Sequence, residues 1–492
     1  MSKAGKIWMA ACLCFVLQTP AQAKVLSLSD VLSNVFAKSP DLQASNVQVK
    51  IQRANSLQLD GALDMYYGGS IGLSNESAPT TNPFSPTETN ATFISGQVVQ
   101  PFEGGSTLTG TLLYNRAELI YPASVIPAFQ SKPNPQYQHQ IDLIYRYPLV
   151  AGAGNPNYRY QKEVSVAEEK AAKLRITLLK EQIAAQAIGM YAQFVLSDLS
   201  VKLAKDAELR ATQLLDNQKK RESFGLVEKA DRYQTEALVT ARKLQLAQAK
   251  AEKRAAQTAL NRLMYQAADT PLVLKFRSPK VQLQSVSKLL VKAESKRPVF
   301  QVLAAQYAAA EAQLSLAQTS EDYQLDLIGQ VGTRALDGSA GTAFTRGFNP
   351  AHDRYIGISV EFSDVLDNKS SRAAVQRSVL ALESINIERH KAMMDLQTEI
   401  ATLVNDLRSA RITLKASKAQ VKAEKKKYQA EMERYQKGRV PTSAVIQFEG
   451  DLRVAQLREA IQRVSLGLTE YKLALAVGEL PELLGQTQGD AR

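Results

Sequence analysis

The sequence predicts an α+β membrane protein built from two internal repeats, in which long coiled-coil hairpins alternate with strands. Three observations carry that prediction. Ile400, Leu407, Leu414, Val421, Tyr428 and Tyr435 recur every seven residues, with Leu403, Ala410 and Ser417 interleaved, which is the seam of a coiled coil. The apolar period falls to two along Tyr323, Leu325 and Leu327, along Ile356, Ile358, Val360 and Phe362, and along Ile141, Leu143, Tyr145 and Tyr147, as in two-faced strands. Finally, Leu28-Ser29-Asp30-Val31-Leu32 stands before Pro40 as Val286-Ser287-Lys288-Leu289-Leu290 stands before Pro298, and both lead into Gln- and Ala-rich helices. A repeat of that length is duplication of a whole fold half.

The elements follow in order. Lys3 and Lys6, the apolar run from Ile7 to Leu17 and the small-residue end Ala21-Gln22-Ala23 read as a signal peptide over residues 1–23. Cys12 and Cys14 lie inside that run, so the mature chain has no thiol for a disulfide, a metal or a nucleophile. Repeat 1 occupies 24–285: a helix over 27–62, strands within 65–149, a helical hairpin over 156–264 and a connector over 265–285 punctuated by Pro271 and Pro279. Repeat 2 occupies 286–480, with a helix over 286–319, strands within 323–363 and a helical hairpin over 366–478. Residues 481–492 form a flexible tail. Each hairpin turns at a glycine, Gly225 or Gly438, because glycine accepts the left-handed conformation that closes a helix; Pro441 suits the start of the returning one. Repeat 1 carries more chain between helix and hairpin than repeat 2. The surplus reads as an additional hairpin near 92–115, in or above the sheet, joined by Pro101-Phe102-Glu103-Gly104-Gly105.

The formal charge of +12 falls to +10 without Lys3 and Lys6. The basic residues are interleaved with Glu and Gln along helices, and an exported chain rarely meets nucleic acid, so no nucleic-acid partner is expected. Lys425-Lys426-Lys427, the densest run, reads as a solvated helix face. His139, His352 and His390 lack the spacing of metal ligands and read as surface residues. Ala151-Gly152-Ala153-Gly154 lacks the Lys-Ser/Thr ending of a phosphate loop and reads as a strand-to-helix bend. With no nucleophile-base pair and no paired carboxylates, no enzyme activity, cofactor or metal is expected.

Beyond the signal peptide no stretch approaches the roughly 18 to 20 apolar residues of a membrane-spanning helix, so any span must be made of strands. Four to six strands are too few for a barrel, and lipid does not tolerate an open sheet edge. Several chains must therefore close the barrel together.

In the order and spacing of these features the chain resembles the TolC family of outer-membrane efflux proteins, the outer membrane factors. The shared features are the duplicated Leu-rich helix ending at Pro, the strand pairs, Tyr147-Pro148-Leu149, the glycine-tipped hairpins and the closing Leu475-Ala476-Val477-Gly478-Glu479-Leu480. The resemblance implies a homotrimer with a shared twelve-stranded outer-membrane β-barrel, four strands from each chain, continued by a periplasmic α-helical barrel. Against that pattern the additional hairpin of repeat 1 is a departure. The resemblance also implies a periplasmic gate at the hairpin tips. Gly225 and Leu226 on the first tip and Gly438 on the second match the adaptor-contacting positions. Tyr435 falls where a Tyr bonds the first-tip Asp, here Asp231. The companion Arg-to-Thr restraint would fall on Val440 and Ala230, which cannot form it. The acidic ring of the constriction falls on Ala444 and Gln447, leaving Glu449 and Asp451 as candidate pore acids one turn deeper.

Two functions fit. One is the exit duct of a tripartite transport system, coupled through a periplasmic adaptor (membrane fusion protein) to an inner-membrane pump of RND or ABC type, with drug efflux favoured over type I secretion. The other is a structural, adhesin-like coiled-coil surface protein anchored by a barrel. Strands that lie between helices in each repeat return the chain to one side of the membrane and favour the duct.

Overall fold

The computed structural model describes residues 25–482, apart from 83, 123–132, 275, 280, 350 and 352. The signal peptide over 1–23, nearly all of the tail over 481–492, and His352 lie outside the described residues. The chain forms two compact units, one of residues 43–178 and 298–394 and the other of the remainder.

The helix expected over 27–62 is two helices, α1 (Leu28–Lys38) and α2 (Pro40–Asp60), with a 3-10 turn at Gly61–Leu63. The break is dictated locally: Ser39 is extended, as a residue preceding proline must be, and Pro40 opens the next helix. A capping box starts α1, in which the Ser27 Oγ accepts from the Asp30 N–H at 3.2 Å and the Ser27 N–H donates to the Asp30 carboxylate at 2.8 Å. Repeat 2 has the same break between α5 (Val286–Lys296) and α6 (Pro298–Thr319), where Arg297 is extended. Two short strands, β1 (Val25–Leu26) and β6 (Val273–Leu274), pair in parallel and tie the start of the described chain to the connector.

Four long helices make up most of the rest: α3 (Pro156–Ser223), α4 (Lys229–Leu263), α8 (Lys369–Gln436) and α9 (Thr442–Val477). At 68 residues each, α3 and α8 are on the order of 100 Å long. Along α8 the seven-residue positions Ile400, Leu407, Leu414 and Tyr435 are buried, as are Ala410 and Ser417; Val404 is buried beside the half-buried Leu403. Elsewhere in this unit Ile188, Tyr191, Phe194, Leu260, Met264 and Leu473 are the large side chains withdrawn from solvent.

The other unit holds one antiparallel six-stranded sheet in the order β2 (Tyr66–Ser77), β3 (Glu88–Pro101), β4 (Thr107–Ile120), β5 (Gln136–Pro148), β7 (Gln324–Asp337), β8 (Arg354–Ser363). The additional hairpin is thus β3–β4, and it lies in the sheet between β2 and β5 rather than above it. Residues paired across the ladder share a face, and the two faces differ in chemistry. Along β5, Ile141, Leu143, Tyr145 and Tyr147 point to one face with Leu327, Val331, Ile356, Ile358 and Val360 of β7 and β8. The other face carries Gln140, Asp142, Arg146, Asp326 and Glu361, with Arg146 bridging Asp326 and Glu361 at 2.7 Å each. The apolar face is the exposed one: Ile71, Leu73, Ile356 and Ile358 are each at least 74% exposed. Along β5 the apolar face runs from Tyr137 to Tyr147, ten residue steps. At about 3.4 Å per residue and a tilt near 40° that is roughly 25 Å, the height of the apolar band of a membrane barrel.

An element that periodicity did not announce sits on this face. Helix α7 (Ala340–Gly347) lies within the loop between β7 and β8, fixed by Arg346, which bridges Asp353 at 2.6 Å and Asp337 at 3.5 Å. Its Phe344, and Phe348 just beyond it, pack on His139 with ring centroids 5.2 and 4.8 Å away. His139 is therefore fully buried, correcting its reading as a surface residue, while His390 is exposed on α8. Tyr114, Tyr137, Phe344 and Phe348 gather at this end of the apolar face, and Tyr145, Tyr147, Tyr323 and Phe362 at the other. Aromatic belts bound a membrane-facing surface in the same way. No described helix is long and apolar enough to cross a membrane.

Removing a seam residue should cost a core residue's worth of stability. Leu407→Ala is expected to lower the unfolding free energy by about 2–5 kcal/mol, and Arg408→Ala on the exposed face by no more than about 0.5 kcal/mol. Urea denaturation followed by helical circular dichroism measures both.

Candidate functional site

The two glycine turns lie in the unit that contains α4 and α9. Gly225 and Gly438 have φ of 70° and 67°, and each turn closes in the same way. The Leu226 N–H reaches the Arg221 carbonyl and the Gly225 N–H the Glu222 carbonyl, both at 2.9 Å; the Arg439 N–H reaches Arg434 and the Gly438 N–H reaches Tyr435, also at 2.9 Å. These bonds satisfy carbonyls that the helix end leaves unpaired, which only a left-handed residue at the closing position permits. The turns are therefore matched in backbone as well as in sequence position. Phe224 and Leu226 project from the first turn with 77% and 66% of their surface exposed, an apolar knob with nothing over it among the described residues.

Arg221 joins the two tips. Its guanidinium donates to the Tyr435 carbonyl at 3.1 Å and lies 4.9 Å from the centre of the Tyr435 ring, a hydrogen bond and a cation-π contact from one side chain. Tyr435 is buried with Leu214 and Val445, in a cluster to which Tyr428, Met432 and Val440 contribute. Its hydroxyl bonds no partner among the described residues, so the Tyr435 to Asp231 restraint is not formed within the chain. The ring is drawn into the cluster beneath Arg221, and Asp231 is instead half-buried in the first turn of α4. Beside the cluster the Gln218 amide donates to the Thr442 hydroxyl at 2.6 Å, with both residues buried.

One turn deeper, Glu449 is the centre of an ion network. Its carboxylate accepts from Arg210 at 3.0 Å and from Arg242 at 2.5 Å, and its side chain is 3% exposed. Arg453 is close enough that burial first, and the Arg242 charge second, pull its guanidinium below the ordinary value, with Glu449 opposing them. Val445, Glu449 and Leu452 lie on one buried stripe of α9, which turns the carboxylate inward to the two arginines. Asp451 is on the outer side, 43% exposed and bridged to Lys427 at 3.4 Å. Gln447 is exposed, and Ala444 and Val440 are half-buried. Lys425 and Lys426 are solvated, whereas Lys427 also lies 4.4 Å from the centre of the Phe448 ring.

Arg221, Arg210 and Arg242 escaped the sequence reading. Arg242 did leave a signal, since it interrupts the apolar stripe between Val239 and Leu246 of α4, where an unpaired charge would be costly. Among the described residues no group of His, Cys, Asp and Glu could hold a metal ion.

Long helical hairpins joined to a two-faced antiparallel sheet are the fold of outer-membrane channel proteins. Comparison with solved structures identifies that fold directly. CusC, described with transmembrane channel formation, matches with a TM-score of 0.67 at 14% identity over 92% of each chain. The outer-membrane channel OprN matches with a TM-score of 0.66 at 15% identity, over 92% of this chain and 90% of its own. The outer membrane protein VceC of Vibrio cholerae gives 0.65 at 14% identity, over 92% and 96%. No protein-family model and no curated protein matches the chain. At these identities the fold is shared while most side chains differ, so the Arg221 and Glu449 contacts stand on this chain's own geometry.

Glu449→Gln should cost about 3–5 kcal/mol, since it leaves two guanidinium groups facing a neutral amide in a buried site. Adding Arg242→Met should recover part of the loss by removing one of the stranded charges. Thermal denaturation of the single and double variants measures the difference, and equal melting temperatures for Glu449→Gln and the parent would contradict the network.

Proposed function

We propose that the chain is the outer-membrane subunit of an exit duct, a passive path from the periplasm or a pump to the cell exterior. The observation that carries this reading is the pairing of a sheet whose two faces have opposite chemistry with helical hairpins on the order of 100 Å long. An apolar face suits lipid, a polar face suits a water-filled lumen, and the helices suit a periplasmic conduit. The fold shared with CusC, OprN and VceC supports the same location, with strands in the outer membrane and helices in the periplasm.

The subunits assemble as a homotrimer in this reading, and the exposed Phe224 and Leu226 beside Gly225 meet a periplasmic adaptor. The adaptor in turn engages an inner-membrane pump of RND or ABC type. Substrate choice rests with the pump, and drug efflux is favoured over type I secretion. The tips form the gate, with Tyr435 and Val440 packed in its wall and Asp231, Ala444 and Gln447 nearer its surface. Because Glu449 is neutralised by Arg210 and Arg242, Asp451 is the acid left to colour ion selectivity, and cation preference is weak.

Deleting the gene should increase susceptibility to dyes, detergents and antibiotics; unchanged susceptibility together with an unchanged secretome would overturn the duct. In single-channel recordings under a salt gradient, Gln447→Glu should shift the reversal potential toward the cation potential. Absence of a shift would remove Gln447 from the conduction path.

A further inference from the structure

We infer that the β3–β4 hairpin is a wall element, so that each copy contributes six strands and three copies close a barrel of eighteen. The inference rests on the proposed reading that the sheet lies in the outer membrane and closes with other copies of this chain.

Hydrogen bonding argues first. β3 pairs with β2 along twelve residues, from Tyr66↔Val99 to Ser77↔Glu88, and β4 pairs with β5 from Thr107↔Arg146 to Ala117↔Gln136. The hairpin is therefore laddered on both of its outer edges. Lifting it out of the wall would break both ladders at once and require β2 and β5 to re-pair with each other, because hydrocarbon offers those groups no other partner. Alternation argues second. Ile94 of β3 and Leu112 of β4 fall on the same face as Ile141 and Val331, while Gln97 and Thr111 fall on the face of Asp142 and Arg146. A hairpin standing in water would have no reason to keep an apolar face in register with its neighbours.

The unpaired edges then belong to β2 and β8 alone, and the partner that fits them is a second copy, β8 of one against β2 of the next. Six strands cannot close on themselves around side chains, since membrane barrels begin at about eight. Barrel diameter grows roughly in proportion to strand number, so eighteen strands in place of twelve widen it by about half. At about 4.8 Å between strands and a tilt near 40°, that is a backbone diameter of roughly 36 Å in place of roughly 24 Å. An exit of that width suits cargo of large cross-section, such as a polypeptide or a polysaccharide, as well as small molecules.

The test uses single cysteines in the full chain carrying Cys12→Ser and Cys14→Ser, placed in outer-membrane vesicles. Ile94→Cys and Gln97→Cys probe the two faces of the hairpin, and Ile358→Cys and Ser359→Cys probe the two faces of β8. The expected result is that a membrane-impermeant maleimide labels Gln97→Cys and Ser359→Cys and spares the other two, while brominated lipid quenches a fluorophore attached at Ile94→Cys. Electron cryomicroscopy of the parent in nanodiscs should count eighteen strands. Labelling of both hairpin positions while the β8 pair still alternates would overturn the inference and leave the duct intact, as would a count of twelve. Loss of alternation in the β8 pair would overturn the membrane reading itself.

Discussion

A β-strand presents a row of backbone amides and carbonyls along each edge, and the need to pair them organises the strand region of this chain. Each of the four inner strands meets it with a neighbour on either side, leaving the requirement concentrated on β2 and β8. The same constraint makes the sheet insufficient on its own. A six-stranded sheet ends in two open edges, on β2 and β8, and this one also carries an exposed apolar face.

The helical unit is governed by a different economy. Its seams are buried apolar residues at intervals of three and four, and the exceptions are the informative positions. Glu449 and Arg242 occupy stripe positions on α9 and α4 where Leu or Val would pack well. A buried ion network of this kind contributes little net stability, but it is unforgiving of misregister, because a displaced helix strands a charge. Arg221 acts similarly between the tips, holding a backbone carbonyl and an aromatic face of the opposite turn with one planar group. Both contacts fix the relative height of the hairpins within one chain.

Much of this was legible in the sequence. A period of seven along Ile400 to Tyr435 and a period of two along Ile356 to Phe362 are statements about one element and its burial, and such statements survive folding. Adjacency is harder to read. The alternation of the β3–β4 hairpin identified strands without saying which strands they would join, because any antiparallel neighbour satisfies the same period. Helix α7 has only two turns, too short for a period to emerge, and with it went the burial of His139. The partners of Glu449 were not legible, because Arg210 and Arg242 arrive from elsewhere in the chain and no local spacing announces them.

The smallest sheet has the longest reach. β1 is two residues, Val25 and Leu26, and its partner β6 lies at Val273 and Leu274, so the first strand of the described chain cannot pair until nearly all of repeat 1 has followed it. Contacts between residues so far apart in sequence form late, since the intervening chain must first be ordered. This makes the leading segment the last part of its repeat to be secured. Until β6 arrives, Val25 and Leu26 have no strand to pair with, so the start of the described chain is held by the connector rather than by its own neighbours in sequence.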